Sequence, residues 1–79
     1  MNRKIKLIWE FSGPDAEETA KNHSAAIEGV IDQEKLEVSI SGTEYISHIS
    51  WLAYLIVLEK NVQVIKGVLK PLRSEIFDD

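Results

Sequence analysis

The sequence contains no cysteine and only two prolines among its 79 residues. The lack of cysteine excludes disulfides, thiolate zinc sites and a cysteine nucleophile, and it suits a reducing compartment, so we expect a cytoplasmic location. Burial of apolar side chains must then stabilise the fold. No segment approaches the length of about 20 apolar residues that a membrane-spanning helix needs, and no signal-peptide pattern follows the basic N-terminus. These absences favour a protein without a membrane partner.

Charge and length narrow the class further. The net charge of -4 and the pI of about 5.1 disfavour nucleic-acid binding, which depends largely on neutralising phosphates. A chain of 79 residues is expected to form one domain, spanning residues 1–79. A domain of this size buries only about 60% of the surface that its unfolded chain exposes, so a partner subunit would add stability.

The most apolar segment is the uncharged run I-S-W-L-A-Y-L-I-V-L at residues 49–58. Its aromatic and β-branched residues favour a strand, although a helix is an alternative for residues 45–58. Odd and even positions are both apolar, so a strand here must be covered on both faces. Each face of this strand must therefore pack against another part of the fold or against a partner.

The first half of the chain combines a strand and a helix. Alternating apolar residues predict a strand at 4–11 with one buried face. Ser12-Gly13-Pro14-Asp15 matches a strand end followed by a helix N-terminus with a short capping box. Apolar residues then recur at helical spacing to about Gln33.

The second half adds shorter elements. Leu36, Val38 and Ile40 alternate with polar residues and predict a second strand that ends at a Ser41-Gly42-Thr43 turn. Residues 44–48 are either a loop or the start of the third strand. Asn61 is a suitable N-cap for a second helix that ends near Lys70, before Pro71. Ile76 and Phe77 suit a brief edge strand.

The order strand, helix, strand, strand, helix and a short final strand predicts an α+β fold of the ferredoxin-like split βαβ type, with both helices on one face of an antiparallel sheet. Such helices leave the other face of the third strand uncovered. An exposed apolar patch usually marks an interface, so we expect a homodimer packed sheet to sheet. The interface candidates are Ile8, Trp51 and Tyr54.

Few residues suggest a chemical site. His23 lies on the apolar stripe of the first helix, where the ordinary interpretation is a packed histidine whose nitrogens are satisfied locally, and the alternatives are a ligand contact or a pH switch. His48 precedes the central run. Lys66, Lys70 and Arg73 form a basic stripe if the second helix extends that far, and this stripe suits an acidic partner or a small anion. These five residues are the ligand-binding candidates. The pattern predicts no catalytic residue, metal site or cofactor.

Several short segments resemble a family of small uncharacterised bacterial α/β proteins: Trp9-Glu10-Phe11-Ser12-Gly13-Pro14-Asp15-Ala16-Glu17, Gly42-Thr43-Glu44, Ala53-Tyr54-Leu55 and Leu69-Lys70-Pro71-Leu72-Arg73. The resemblance covers most of the chain and implies no assigned activity. It also implies histidines at the positions of Ser50 and Leu72, which this chain lacks.

The sequence therefore favours a non-enzymatic domain that binds a protein or a small molecule as a homodimer. The alternative is a small enzyme whose site lies between subunits and uses His23 or His48 as a general base.

Overall fold

The computed structural model describes residues 3–36 and 39–77. Its elements follow the predicted order and include a short 3₁₀ turn at Glu59–Asn61. The strands are β1 (Lys4–Ser12), β2 (Ser39–Ser47), β3 (Ser50–Leu58) and β4 (Arg73–Phe77), and the helices are α1 (Ala16–Glu34) and α2 (Val62–Leu69).

The four strands form one antiparallel sheet in the order β2-β3-β1-β4. The predicted α+β class, with an antiparallel sheet and two helices, is thereby confirmed. The apolar run is β3, so the helical alternative for it is wrong. β1 and β3 are the two central strands, and Leu7 lies opposite Leu55 at their centre. Central positions suit these two strands because a central strand has neighbours on both sides and exposes the least backbone.

The hydrophobic core lies between this sheet and both helices. Ala16 and Ala20 are buried, and their small side chains let α1 lie close to the strands. The Trp9 indole N–H donates a hydrogen bond to the Leu69 carbonyl oxygen at 2.9 Å, which links β1 to the end of α2. The core cluster comprises Leu7, Trp9, Ile27, Ala53, Leu55, Val57, Val62 and Ile65.

Neither helix covers the opposite face of the sheet, which we call the open face. It carries the even-numbered side chains of β1 and β3. We expected an exposed apolar stripe here, yet Ile8 is only 2% exposed, Leu52 6% and Ile56 4%. The expectation of an exposed patch is therefore wrong for these residues.

Their neighbours on the adjacent strands explain this burial. Leu52 lies between Glu10 and Glu44, and Ile8 lies between Tyr54 and Arg73. Hydrogen bonds hold these polar side chains in place, because Arg73 donates to Glu10 at 2.7 Å and Lys6 donates to Glu44 at 3.4 Å. The Lys6 ammonium also lies 4.9 Å from the Tyr54 ring centroid. We call Lys6, Glu10, Glu44, Tyr54 and Arg73 the polar cover.

One local prediction fails and another is confirmed. The Ser41-Gly42-Thr43 segment is not a turn but the interior of β2, and the turn to β3 is at residues 48–49. The predicted start of this strand includes Val38, which is outside the described residues. α2 ends at Leu69, and Lys70 adopts the left-handed conformation with φ of 47°. The helix therefore stops before Pro71, as predicted.

Among the described residues, no helix has the length and apolar character needed to span a membrane.

Candidate functional site

The outer edge of β2 is one of the two outer edges of the sheet. β2 has nine residues, and within residues 3–36 and 39–77 only β3 is its neighbour, so one side of its backbone pairs with no described strand. Its sequence S-I-S-G-T-E-Y-I-S contains no lysine, arginine or proline. Ile40, Tyr45 and Ile46 are 51%, 63% and 48% exposed. Proteins normally protect such an edge with lysine or other charges, proline, a bulge or a short strand; β2 has no lysine or proline and is long, and its protection is limited to one glutamate and the bulge between Tyr45 and Ser47.

The opposite edge, β4, differs in length and in charge. It has five residues, and Arg73 and Glu75 place two charges on it. Arg73 donates to Glu10 at 2.7 Å and lies 3.7 Å from Glu75, and these partners raise the pKa of its guanidinium, chiefly through the hydrogen bond to Glu10. A short, charged edge resists the addition of another strand. Of the four described strands, only β2 presents a long edge that is open to pairing.

An aromatic pair stands at the end of β2 on the face that carries the helices. The rings of Tyr45 and Trp51 meet edge to face, with centroids 5.8 Å apart and an interplanar angle of 81°. The Lys21 ammonium of α1 lies 5.7 Å from the Trp51 centroid and bonds to Glu17 at 2.7 Å. Aromatic side chains of this kind are enriched where proteins bind one another.

A cleft of about 350 Å³ opens near this end of β2, on the open face. Ser12 and Ser50 lie opposite each other across β1 and β3, and Glu10 is two residues away. The bulged residue Ile46 and the exposed Leu72 form apolar walls. The cleft is lined by Glu10, Phe11, Ser12, Ile46, Ser50 and Leu72. Its mixed lining can accept a side chain or a small amphipathic molecule.

A second cleft, of about 400 Å³, lies along the first turn of α1. Glu17 and Glu18 are in this turn, where the helix dipole favours negative charge. The Gly13 amide, which precedes the helix, donates to the Ile49 carbonyl oxygen at 2.8 Å. Acidic side chains and an occupied amide make this helix start unsuited to an anion.

His23 packs against the core as its ordinary interpretation predicts, but its nitrogens are not all satisfied. Its ring centroid lies 4.9 Å from that of Trp9 and 5.5 Å from that of Phe11. Its Nε2 is buried and has no hydrogen-bond partner among the described residues. Burial lowers the pKa of His23, because the protonated ring would lose its hydration.

The two histidines do not form a common site. His48 is exposed in the turn between β2 and β3, whereas His23, on α1, faces the rings of Trp9 and Phe11 on β1. Neither histidine lines either of the two clefts described above. The described residues contain no group of three side chains suited to a metal ion.

The predicted basic stripe is not formed. Lys66 is on α2, Lys70 caps its C-terminus in the left-handed conformation, and Arg73 begins β4. The stripe required a helix through Arg73, and Pro71 prevents this. Arg73 instead belongs to the polar cover through Glu10.

The interface candidates lie on two faces of the sheet. Ile8 and Tyr54 are opposite each other on the open face, whereas Trp51 is on the helix-bearing face beside Lys21. One packed face cannot contain all three. The sequence interpretation missed Ile40 and Ile46, because the supposed turn at Gly42 hid the continuous edge. The sequence feature that could have identified these two residues is a long segment of mixed polar and apolar residues that contains no lysine or proline.

Comparison of the chain with family models, with curated proteins and with solved structures finds no match. The resemblance to small bacterial α/β proteins therefore stays a prediction.

Proposed function

We propose that this domain is a non-enzymatic protein-binding module that acts as a homodimer and associates through the outer edge of β2. The observation that carries the proposal is the contrast between the two sheet edges. β2 is long, carries one charge and exposes Ile40 and Ile46, whereas β4 is short and carries two charges. Strand addition supplies main-chain hydrogen bonds, and adjacent side chains supply specificity.

Two other features of the chain support proposals about its fold and its location. The order β2-β3-β1-β4, with helices between β1 and β2 and between β3 and β4, supports a ferredoxin-like arrangement. The absence of cysteine supports a cytoplasmic location.

Association through the edge is favoured over the expected packing of two open faces. Packing these faces together would bury the ionised groups of Lys6, Glu10 and Arg73, which now cover the apolar side chains beneath them. Desolvation of charged groups is costly. Edge pairing leaves these charges in water and buries isoleucines that are now exposed.

Sedimentation equilibrium across the micromolar range tests this proposal. The unmodified chain should show a reversible monomer–dimer equilibrium. Ile40→Lys and Ile46→Lys should each weaken dimerisation about tenfold or more, because each places two lysines in a symmetric interface.

Ile76→Lys is the matched control. Ile76 is 58% exposed on β4, so the same substitution there should leave the dimer unchanged. Circular dichroism checks that each variant is folded. A monomeric mass for the unmodified chain at every concentration, or equal weakening by all three substitutions, would contradict the proposal.

A further inference from the structure

The sequence of β2 has a symmetry that a two-fold interface requires. Counted outward from Thr43, Ile40 and Ile46 occupy equivalent positions, and Ser39 and Ser47 occupy the next pair. A two-fold interface joins the same surface on both subunits, so each residue must suit its counterpart on the partner. Antiparallel pairing centred on Thr43 would bring each Ile40 opposite the partner's Ile46.

The faces of the sheet are consistent with this register. Ile40 is opposite Ile56, which places it on the open face. Ile46 lines the cleft with Ser12 and Ser50, which are also on the open face. Both isoleucines therefore lie on the same side, and pairing would join two exposed side chains at each end of the interface. Apolar cross-strand pairs of this kind stabilise a sheet.

The charge on β2 also fits this register. Glu44, its only charged residue, would stand opposite the partner's Gly42 rather than another glutamate. Lys6 of the same subunit already donates to Glu44 at 3.4 Å. Like charges directly opposite each other destabilise paired strands, and this register avoids them.

A bulge limits the length of the pairing. The register between β2 and β3 shifts between Tyr45 and Ser47, so the edge is regular up to that point. Bulges commonly end the pairing of an edge strand. In a register centred on Thr43, the regular pairing segment is thus residues 41–45, and Ile40 and the partner's Ile46 flank it at each end.

We infer that two copies of this chain pair antiparallel along β2, with Thr43 opposite the partner's Thr43, and form one continuous sheet. This inference rests on the proposed edge association and specifies its register. It also gives the partner a place in the cleft, because the partner's Ile40 would adjoin Ile46 and extend the apolar wall that Ile46 and Leu72 form.

Single-cysteine variants test the register directly, since the chain has no cysteine of its own. Directly opposed strand residues have Cα atoms about 4.5–5.5 Å apart, which suits a disulfide. Under mild oxidation, Thr43→Cys should therefore form a covalent dimer. A short bismaleimide crosslinker gives a second readout, because it can join the two cysteines whether they form a hydrogen-bonded or a non-hydrogen-bonded strand pair.

Ser41→Cys and Tyr45→Cys provide matched controls on the same strand. In this register residue 41 is opposite residue 45, so each variant alone should crosslink about tenfold less than Thr43→Cys, because its two copies are about 13 Å apart. An equimolar mixture of the two variants should crosslink efficiently as a heterodimer.

The outcomes separate the register from the association itself. Strong crosslinking of Thr43→Cys, together with the mixed pair, supports the register. If the chain dimerises and Ile40→Lys weakens the dimer, but another position crosslinks best, the register is overturned and the edge association stands. A monomeric chain without crosslinking overturns both.

Discussion

At the residue scale, His23 has an environment that suits only its neutral form. Its neighbours Trp9 and Phe11 are apolar rings, and its buried Nε2 lacks a hydrogen-bond partner in the described part of the chain. A charged imidazole at this position would lose hydration without gaining an acceptor. The residue is therefore a part of the packing that becomes unfavourable when it is protonated.

This environment predicts a pH dependence of stability. The pKa of His23 is lowered in the folded state, so below the unfolded value of about 6.5 the unfolded chain binds the proton more readily. Its contribution to the free energy of unfolding is complete above that pH and is lost as pH falls toward the folded pKa. Between about pH 7.5 and about pH 5.5, the free energy of unfolding measured by urea denaturation should fall less in His23→Leu than in the unmodified chain.

His48→Gln is the control for this prediction, because His48 is exposed in a turn and its replacement should leave the pH dependence unchanged. Equal pH dependence in the unmodified chain and in His23→Leu would show that the folded state accommodates the charged ring.

At the scale of elements, hydrophobic periodicity identified the strands and helices wherever one face is buried. β1, α1 and β3 begin and end within one or two residues of the positions that their patterns predict. β2 was not recognised beyond Ser41, because Ser-Gly-Thr is a frequent turn sequence. The stabilising partner of Gly42 is Tyr54 on the neighbouring strand, and such a long-range contact is not visible in local sequence.

The contact between Gly42 and Tyr54 explains why glycine occupies the middle of β2. A Cβ atom at Gly42 would lie 2.8 Å from the Tyr54 hydroxyl oxygen and 3.1 Å from Cζ. The Tyr54 ring therefore covers the glycine, and a side chain there would displace it. Coverage of a strand glycine by an aromatic ring on the next strand is a known way to stabilise a sheet.

Gly42→Ala should consequently lower the free energy of unfolding by about 1–3 kcal/mol, since the ring must move from its packed position. In a Tyr54→Val background the same change should be neutral or stabilising, because the obstructing atoms are gone and alanine loses less backbone entropy than glycine on folding. Chemical denaturation of the four proteins in this double-mutant cycle measures the coupling.

Gly29→Ala provides the matched control. Gly29 is in α1, and a Cβ there would meet nothing within 4 Å. This substitution should stabilise the protein by about 0.5–1 kcal/mol through helix propensity. If Gly42→Ala were equally stabilising, Tyr54 would not restrict position 42.

At the scale of the whole molecule, the sheet is buried on both faces by different means. Helices cover one face, whereas the polar cover protects the other. The sequence correctly required both faces of β3 to be buried, but the expectation of a second subunit on the open face overlooked the long side chains of its neighbours. Aliphatic stems of lysine and arginine can cover apolar surface while their charged ends stay in water. Burial on the open face therefore does not require a partner.

This arrangement predicts that the open face contributes to stability within one subunit. Ile56 is 4% exposed on that face, so Ile56→Ala should lower the free energy of unfolding by about 2–5 kcal/mol, and the milder Ile56→Val by about 0.5–1.5 kcal/mol. Ile76→Ala, at a position that is 58% exposed, should change the free energy of unfolding by less than about 0.5 kcal/mol.

Urea denaturation at low protein concentration measures these changes on the dissociated chain. Sedimentation of Ile56→Val should show unchanged dimerisation, because the β2 edge is intact. A small effect of Ile56→Ala, equal to that of Ile76→Ala, would mean that the polar cover does not exclude water, and packing of two open faces would then regain its apolar driving force.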